Sequence, residues 1–392
     1  IRMAVGTGIT VIVSGSDATD HTEAYLEAGA NYVLAGEGEI TLTELLDTLT
    51  GKSDRQVDEI AGLLFRRDDE LIRTTARGFV KDLDCLGRPA RDLVDMERYR
   101  AAWIERHGFF STNVVTTRGC PFKCNWCAKP IYGNRYNSHS PEYIARELSD
   151  LQAAYQVDHI WFADDIFGLK PGWVVEFGAH AAELGVSIPY KVQARVDLLD
   201  EDVVTALARS GCDMAWVGAE SGSQHVLDSM DKGTRVEQIH EAAHRLHRHG
   251  IKVGFFLQFG YPGETGADID RTIAMVRACK PDDIGISVSY PLPGTAFHER
   301  VRREMQEKRN WTDSDDLAMM FQGTFPPEYY RSLHRMVHAR FRVQKGWQAI
   351  LACFRNPSII GREIMADLLP AVRGLVTLST GSFRLKRLRQ GS

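Results

Sequence analysis

Three cysteines lie close together in TTRGCPFKCNWCAKPIYGNRY (residues 116–136), where Cys120, Cys124 and Cys127 have the spacing C-x3-C-x2-C. A thiolate triplet on one short loop can hold a small inorganic cluster or a soft metal ion. A structural zinc site would require a fourth protein ligand, usually from a second Cys or His pair. The other cysteines are isolated in the sequence: Cys85, Cys212, Cys279 and Cys353. Three ligands therefore favour a four-iron cluster with one iron left open.

The elements that must position these cysteines repeat regularly from residue 113 onward. Apolar strands are predicted at residues 113–117, 160–163, 190–194, 214–218, 253–259 and 284–290. Helical stretches are predicted between them at residues 141–155, 173–184, 201–210, 236–248 and 268–278. Repeats of roughly 30 to 40 residues favour a parallel barrel, complete or partial. The chemistry of such barrels lies at the carboxyl ends of the strands, so the cysteine loop after Thr117 stands at the catalytic end.

The cysteine spacing after the first barrel strand, with Trp126 directly before the third cysteine, resembles the radical S-adenosylmethionine superfamily. The resemblance implies that the amino and carboxylate groups of S-adenosylmethionine chelate the open iron of a 4Fe-4S cluster, and it makes Trp126 a neighbour of the cofactor. One electron then splits the sulfonium, which gives methionine and a deoxyadenosyl radical that abstracts a hydrogen atom from the substrate. The alternative is three structural cysteines or a zinc knuckle.

Two further strand ends match the family. Asp164 and Asp165 in FADDIFG lie where the family binds the amino group of the cofactor, and adjacent carboxylates suit an ammonium. Many members have Gly-Gly-Glu there, so it stays open which Asp acts, and capping of the following turn is the alternative. Arg195 in QARVD is a candidate clamp for the methionine carboxylate, with a structural salt bridge as the alternative.

The next three strand ends continue the resemblance, which covers about residues 113–299. Glu220 and Ser221 in GAESGS resemble the ribose- and methionine-contacting positions, with helix capping as the alternative. Gly260 and Gly263 in FGYPGET form a turn similar to that of the branch with cobalamin enzymes, where glycine allows close backbone approach. The last strand end, SVSYPLPGT, lies where the family's backbone pairs with adenine.

The front of the chain has the pattern of the second half of a doubly wound sheet. Strands are predicted at residues 10–14 and 32–35, with helices at 21–28 and 40–50. Two parallel strands do not make a stable sheet alone, so we expect this fragment to pack against the rest of the chain or against further sequence. The opening IRMAVGTGITVIVSG is predicted to be a strand.

This fragment resembles the end of the cobalamin-binding domain that precedes the barrel in one radical SAM subgroup. The resemblance implies that Gly15, Ser16, Gly36 and Gly38 line the nucleotide tail of the corrinoid, with helix N-termini offering amides to its phosphate. The chain contains no D-x-H-x-x-G motif, so the lower axial histidine of that motif is missing. The alternative is a degenerate Rossmann fragment that binds nothing.

The sequence therefore predicts an α/β protein: a partial (βα)6 TIM-like radical SAM barrel, preceded by the C-terminal part of a Rossmann-like cobalamin-binding domain and followed by a helical tail. The expected segments are a truncated cobalamin-binding domain, a linker with a hairpin turning at Asp68 and Asp69, the barrel, and a helical basic region. Their expected bounds are 1–52, 53–105, 106–310 and 311–392.

Composition limits the classes of partner and compartment. A net charge of -5 argues against a general nucleic-acid binder, and no apolar run approaches the ~18 residues of a membrane span. Seven cysteines do not make a disulfide framework, so a reducing cytoplasm is expected. The basic tail, which contains RLKRLR, could contact anionic lipid, with a solvated helical cap as the alternative. His240 and His244 are predicted to lie on a solvated helix face.

The resemblance to class B radical SAM methyltransferases favours cobalamin-dependent methyl transfer to an unactivated carbon. The first alternative is oxidative cyclisation, as in anaerobic magnesium-protoporphyrin IX monomethyl ester cyclases. The alternative of another class is a non-catalytic iron-sulfur or zinc scaffold. A methylthiotransferase fits less well because Cys85 alone cannot supply the second cluster of those relatives. The expected partners are an unknown small-molecule substrate and an electron donor such as flavodoxin or ferredoxin.

Overall fold

The computed structural model of the chain describes residues 1–129, 131–305, 319–355 and 362–390. The chain divides into two compact units. The first unit comprises residues 1–122, 128–167 and 179–188. The second unit comprises residues 123–127, 168–178 and 189–392.

The first unit contains a mixed sheet of four strands in the order β1-β2-β3-β4. The strands are β1 (Ile12–Ser14), β2 (Tyr32–Leu34), β3 (Leu63–Arg67) and β4 (Glu70–Arg73). β1 and β2 are parallel, whereas β2–β3 and β3–β4 are antiparallel. The hairpin predicted within a linker therefore completes the front sheet, which confirms that the two parallel strands lean on later sequence.

Four helices accompany this sheet: α1 (Arg2–Val5), α2 (Ser16–Asp20), α3 (Thr22–Glu27) and α4 (Glu39–Leu49). Apolar side chains form two separate clusters. One contains Ala18, Leu26, Ala30, Val33 and Leu64, and the other contains Leu34, Leu45, Ile60, Leu63 and Phe65. The alternation of Val33 and Leu34 between the clusters follows the two-residue period of a strand.

The prediction that the chain opens on a strand was wrong for its first residues. Residues 2–5 form the short helix α1 rather than a strand, since Gly6 ends the helix and Gly8, with φ +75°, breaks the extended run before β1. The segment predicted as a linker also contains the helix α5 (Met96–His107). The Asp95 side chain caps this helix by accepting a hydrogen bond from the amide of Arg98. Asp95 before this helix and Gly108 after it are sequence signals of a helix start and end, and the linker prediction did not use them.

The predicted barrel sheet is present with six strands, in the order β12-β11-β10-β9-β8-β5. They are β5 (Ser111–Val114), β8 (His159–Phe162), β9 (Tyr190–Ala194), β10 (Cys212–Glu220), β11 (Lys252–Phe259) and β12 (Asp283–Val288). The pairs β5–β8, β9–β10, β10–β11 and β11–β12 are all parallel. The first strand ends at Val114 rather than Thr117, because Thr117 pairs in an antiparallel ribbon of β6 (Thr117–Arg118) and β7 (Asn137–Ser138).

The helices between these strands agree with the predicted ones to within two residues at each end. They are α6 (Pro141–Tyr155), α7 (Trp173–Glu183), α8 (Glu201–Arg209), α10 (Val236–Arg248) and α11 (Gly266–Cys279), with the short helices α9 (Gln224–Ser229) and α12 (Ala296–Val301) in addition. Short 3-10 turns lie at Val57–Glu59, Leu83–Cys85, Arg91–Leu93 and Val196–Leu198. α6 shows why the pattern was readable: Ser140 caps it, Pro141 opens it, and Ile144, Leu148 and Leu151 form its buried face.

The described part of the tail is helical, as predicted, and consists of α13 (Pro327–Arg355) and α14 (Arg362–Gln390). A Cβ added to Gly374 would lie 2.8 Å from the carbonyl oxygen of Ala339, and one added to Gly381 would lie 2.7 Å from the sulfur of Met336. These contacts make the two helices an antiparallel hairpin. The predicted boundary at residues 310–311 lies outside the described residues. Among the described helices, none combines the length and apolarity that crossing a bilayer requires.

Candidate active site

Asp164 fixes the chain that leads to the first cysteine. Its carboxylate accepts hydrogen bonds from the amide and hydroxyl of Thr116, both at 2.6 Å, and from the amide of Thr117 at 2.9 Å. Burial raises the pKa of Asp164 to about 7, although these hydrogen bonds favour the charged form. Asp165 differs, because it is exposed and its Oδ2 accepts from the amide of Gly119 at 3.1 Å.

Gly119 sets the direction in which the chain enters Cys120. Its φ is +79°, and a Cβ there would lie 2.5 Å from the carbonyl oxygen of Arg135. Both the left-handed backbone and the close approach of another backbone segment exclude a side chain at this position. Glycine directly before the first cysteine is thus required by the fold of this loop.

Asn125 holds the segment between the second and third cysteines within the second unit. Its amide nitrogen donates to the carbonyl oxygen of Ser229 at 2.9 Å and to Oδ2 of Asp231 at 2.8 Å. Its side-chain oxygen accepts from the hydroxyl of Tyr261 at 2.7 Å. Its backbone also bonds Met230 and Phe297, so every hydrogen-bonding group of Asn125 is used. The sequence analysis missed this residue.

Arg195 lies beside the second cysteine, with Nη1 3.8 Å from Sγ of Cys124. Asp197 accepts from Nε and Nη2 of Arg195, both at 2.9 Å, and the backbone oxygen of Lys232 accepts from Nη2 at 2.9 Å. The guanidinium is therefore held in a fixed plane by a bidentate carboxylate and a carbonyl group. A positive charge fixed next to this sulfur would complement the negative charge of an iron-sulfur cluster at that position.

Lys232 is a second functional residue that the sequence analysis missed. It is buried, and its Nζ donates to Oε1 of Glu220 at 2.8 Å and lies 6.0 Å from the centroid of the Trp126 ring. A Cβ on Gly218 would lie 2.6 Å from this Nζ, so a larger residue there would displace the lysine side chain. Lys232 lies in the turn after the short helix α9, and no sequence signal marks it as a partner of Glu220.

Glu220 has an unusual backbone that aims its carboxylate at this lysine. Its φ is +55°, in the left-handed region that residues with a side chain rarely adopt. The pairing of β10 with β11 shifts register between Gly218 and Glu220, which is a bulge of the kind common beside active sites. Trp126 contributes a buried Nε1 that has no hydrogen-bond partner within the described part of the chain.

The other predicted positions in this unit are Ser221, Gly260 and Gly263, and their surroundings differ. Ser221 is fully buried, and its hydroxyl lies 3.0 Å from that of Thr272 in α11 and accepts from the amide of Ser223. Gly260 has φ +80°, and a Cβ there would lie 2.9 Å from Cε of Met319. Gly263 also has a positive φ, +85°, with open space where its Cβ would be.

The donor set of the candidate metal site consists of the thiols of Cys120, Cys124 and Cys127. Among the described residues, no group of three His, Cys, Asp or Glu side chains is arranged to hold a metal ion. Cys120, Cys124 and Cys127 are each half-buried. The chemistry of the donor set nevertheless fits an iron-sulfur cluster, since three soft sulfur ligands are offered and a guanidinium stands beside one of them.

The front sheet places its glycine-rich turns at the ends of two adjacent parallel strands. Ser14 of β1 pairs with Leu34 of β2, so the turns with Gly15 and Ser16 and with Gly36 to Gly38 follow at the same edge. A Cβ on Gly15 would meet nothing within 4 Å, whereas one on Gly38 would lie 3.3 Å from Leu34. Gly15 and Gly36 have positive φ values of +111° and +75°, and these open turns fit the close approach of a ligand.

Arg118 joins the second of these turns to the cysteine loop within the first unit. Its guanidinium forms ion pairs with Glu39 and with Glu37, the latter at 3.5 Å. It also lies 5.5 Å from the ring centroid of Tyr132. Glu37 is buried, and its other oxygen accepts from the amide of Val80 at 2.7 Å.

These elements define a partial parallel barrel protein with three cysteines on the loop that follows its first strand. The radical SAM superfamily model matches residues 114–276. That range contains the three cysteines and every predicted cofactor residue from Asp164 to Gly263. Residues 114–276 are therefore a radical SAM domain.

Relatives and solved structures agree with this assignment. An uncharacterised methyltransferase of Pyrococcus horikoshii is 29% identical over 71% of this chain and 60% of its own length. The anaerobic magnesium-protoporphyrin IX monomethyl ester cyclase of Synechocystis sp. is 26% identical over 62% of this chain and 48% of its own. The chain thus spans about half to three fifths of these relatives.

The structure of OxsB, a cobalamin-dependent S-adenosylmethionine radical enzyme with aqua-cobalamin bound, superposes with a TM-score of 0.71. The sequence identity is 16%, and the match covers 96% of this chain and 60% of OxsB. This likeness extends the shared fold through the front sheet and the tail.

Proposed function

We propose that this chain forms the catalytic part of a radical SAM enzyme in which Cys120, Cys124 and Cys127 hold a 4Fe-4S cluster. The observation that carries the proposal is the cysteine triplet inside the radical SAM domain, with the fixed Arg195 guanidinium 3.8 Å from Cys124. When bound, the cluster and S-adenosylmethionine supply one-electron cleavage of the sulfonium and hydrogen abstraction from an unactivated carbon. The chain itself positions, orients and shields these groups.

The contacts assign different tasks to the two aspartates. Asp164 accepts three hydrogen bonds from Thr116 and Thr117, and we therefore assign it to stabilising the cysteine loop. Asp165 is exposed, so we assign to it the ammonium group of S-adenosylmethionine. This choice follows from burial, since a carboxylate already saturated by donors offers little to a cation.

The polar groups of the second unit are assigned to the rest of the cofactor. Glu220 and Lys232 present a buried pair of opposite charges that can bind the hydroxyl and carboxylate groups of S-adenosylmethionine. Asp197 occupies the Nε and Nη2 edge of Arg195, and we therefore assign its guanidinium mainly to the cluster rather than to the carboxylate of S-adenosylmethionine. Ser221, Gly260 and Gly263 shape the neighbouring backbone.

We further propose that the front sheet contributes to a cobalamin site and that the reaction is methyl transfer. The open turns at Gly15, Ser16, Gly36 and Gly38 support the first point, and the relative named as a methyltransferase supports the second. Oxidative cyclisation is the second candidate, favoured by the similarity to the magnesium-protoporphyrin cyclase. The proposal also includes the four segments expected from the sequence. It includes a flavodoxin- or ferredoxin-type electron donor and a reducing cytoplasm as the setting.

The test is anaerobic reconstitution of the full chain with iron and sulfide, followed by addition of dithionite and S-adenosylmethionine. We expect about four irons per chain and formation of deoxyadenosine. Cys124→Ala should abolish deoxyadenosine formation because the cluster loses one of three protein ligands, whereas Cys85→Ala, which removes an exposed cysteine elsewhere, should behave as wild type. Iron and deoxyadenosine would be assayed on the same samples.

The same samples separate the competing functions. Cluster binding without any deoxyadenosine would leave a non-catalytic iron-sulfur scaffold, and turnover retained by Cys124→Ala would refute the ligand assignment. Hydroxocobalamin added before desalting tests the front sheet: retained corrin absorbance supports the cobalamin site, and its loss argues against it.

A further inference from the structure

The strands β9 to β12 turn one face toward the helices of the second unit. Tyr190 of β9 contacts Phe177 of α7 with ring centroids 5.9 Å apart, and its hydroxyl lies 2.6 Å from that of Ser210 after α8. Side chains alternate along a strand, so every second residue and its neighbours in register share this face. The residues that follow on it are fully buried: Val192, Ala215, Val217, Val253 and Phe255. The residues between them point to the inner side of the partial barrel.

The inner face of these strands carries two aromatic rings next to glycine residues. Trp216 of β10 pairs in register with Gly254 of β11, and Phe256 of β11 pairs with Gly285 of β12. A Cβ on Gly254 would lie 2.4 Å from Cδ2 of Trp216, so the indole lies directly against the backbone of β11. The two rings stack with centroids 4.8 Å apart and planes inclined by 29°, and both are half-buried. We call Trp216 and Phe256 the aromatic platform.

The aromatic platform adjoins residues that we assigned to S-adenosylmethionine. On its other side Phe256 pairs in register with Gly218 of β10. A Cβ on Gly218 would lie 2.6 Å from Nζ of Lys232 and 2.7 Å from Oε1 of Glu220, so this buried ion pair lies over the strand position next to Phe256. A molecule that contacts the platform is therefore placed beside the groups proposed to bind the cofactor.

Gln258 adds one polar group to the same inner face, since it follows Phe256 by two residues toward the carboxyl end of β11. The residue is 4% exposed, and its Oε1 has no hydrogen-bond partner within the described ranges of the chain. A buried carbonyl oxygen without a donor costs free energy, and a donor on a bound molecule removes that cost. Ser287 of β12, which is in register with Gln258, is exposed, so the inner face is open on this side.

We infer that the inner face of β10 to β12 binds a substrate with a planar conjugated ring, which stacks on the aromatic platform and donates a hydrogen bond to Gln258. Contact between two rings adds to the gain from burying apolar area. Gly285 has no side chain that would hold a ring away from Phe256. The platform and its glycines carry no charge, so a charged group finds no opposite charge there. The inference rests on the proposed function, because it names the substrate class of the same site.

The experiment measures binding of 2-naphthol, a planar ring system with one O–H donor, to the full chain before and after reconstitution with iron and sulfide. The fluorescence anisotropy of the probe should show saturable binding. The saturated analogue decahydro-2-naphthol should displace the probe about tenfold less well, because it cannot stack. The ether 2-methoxynaphthalene should displace it about fivefold less well, because it has no hydrogen to donate.

Two variants separate the ring contact from the hydrogen bond. Phe256→Leu keeps an apolar side chain but removes the ring, and it should weaken binding of 2-naphthol about fivefold to tenfold. Gln258→Met should weaken binding of 2-naphthol and leave that of 2-methoxynaphthalene unchanged, since only the acceptor is lost. Trp103→Leu is the matched control, because it removes an exposed ring of the first unit, and it should bind the probe as the wild type does.

Equal affinity of the wild type for 2-naphthol and its saturated analogue would overturn the inference, and this comparison does not depend on how any variant folds. Binding that Phe256→Leu leaves unchanged would place the probe elsewhere and would also overturn it. A chain that binds 2-naphthol but forms no deoxyadenosine after reconstitution would refute the proposed function and not the ring site. A chain that forms deoxyadenosine but does not bind 2-naphthol would refute the ring site alone.

Discussion

Several polar residues of this protein hold the cysteine loop in place through hydrogen bonds. Asn125 is the clearest case, because its side chain reaches Ser229, Asp231 and Tyr261 with three hydrogen bonds. Each such bond contributes about 1 kcal/mol net, so together they order the loop between Cys124 and Cys127 before any ligand binds. An ordered loop loses less entropy on binding a cluster.

Asn125→Leu should therefore lower the amount of cluster that the protein retains. The variant removes three hydrogen bonds, a cost of roughly 2 to 4 kcal/mol, and leaves the hydroxyl of Tyr261 without its acceptor. We expect a several-fold loss of iron per chain after reconstitution and desalting. Tyr261→Phe removes one of the three bonds and should retain most of the iron.

Tyr190→Phe serves as the control for this series, since it removes a hydroxyl bonded to Ser210 away from the cysteine loop. Its iron content should equal that of the wild type. Wild-type iron in the Asn125→Leu protein would show that the loop is ordered by the cluster alone.

The sequence could locate the ligands but not the residues that support them. The spacing of Cys120, Cys124 and Cys127 is itself a property of the sequence, so it was readable. Asn125 acts through partners more than 100 residues away, and Lys232 meets Glu220 only because a bulge turns that strand end. Contacts of this kind have no periodic signature in the chain.

At the scale of elements, the front sheet depends on a hairpin with an unfavourable turn. Asp68 and Asp69 join β3 to β4 with φ values of +49° and +64°. Two consecutive positive φ values define a type I′ turn, which prefers Asn-Gly because glycine has no steric penalty there. The hairpin supplies the partner of β2, so its stability affects the whole front sheet.

Asp69→Gly should stabilise this hairpin, and Asp69→Ala should destabilise it. The expected effects are about 0.5–1 kcal/mol in each direction, since glycine relieves the left-handed backbone and alanine tolerates it less well than aspartate. Hydrogen exchange of the peptide covering residues 63–73 should slow about twofold to fivefold with glycine and quicken with alanine. Unchanged or reversed exchange rates would mean that the turn geometry differs from the one described.

Elements with regular periodicity were predicted well, and those shaped by contacts were not. α6 and α10 match their predicted bounds, because their apolar faces and caps are local features of the sequence. The end of β5 was predicted wrongly because Thr117 pairs with Ser138 in a separate ribbon and not within the barrel sheet. This pairing depends on a strand about 20 residues later in the chain. α1 was mistaken for a strand because a short apolar run fits either conformation.

At the scale of the whole molecule, one buried carboxyl links stability to pH. Burial raises the pKa of Glu264 to about 8, while its Oε2 accepts from the amide of Gly260 at 2.7 Å. The unfolded chain releases this proton near the ordinary pKa of 4.5. The folded state therefore holds an extra proton between these values, and stability falls as the pH rises through that window.

Glu264→Gln should remove this dependence, because the amide keeps an acceptor for Gly260 without titrating. We expect the wild type to lose about 1.4 kcal/mol of unfolding free energy per pH unit, relative to the variant, between about pH 5 and 8. Urea unfolding of both proteins across that range gives the difference directly. A difference that does not change with pH would show that Glu264 is charged in the folded protein.

The architecture of the whole chain was predictable because six repeats share one pattern, whereas the division into compact units was not. The unit boundaries cut through the loop after Phe122 and through α7, where no composition shift occurs. Such boundaries depend on the density of long-range contacts. The positive charge of the tail was visible in the sequence, but the packing of Gly374 and Gly381 against α13 was not.

Arg118 connects the turn proposed to bind the corrinoid with Cys120, the first proposed cluster ligand. It stands two residues before Cys120, and its guanidinium is neutralised by Glu37 in the turn after β2 and by Glu39 at the start of α4. A corrinoid that reorganises this turn would change the free energy of the segment that carries the first thiol. Thermodynamic linkage then requires reciprocity: whatever factor the corrinoid applies to cluster affinity, the cluster applies to corrinoid affinity.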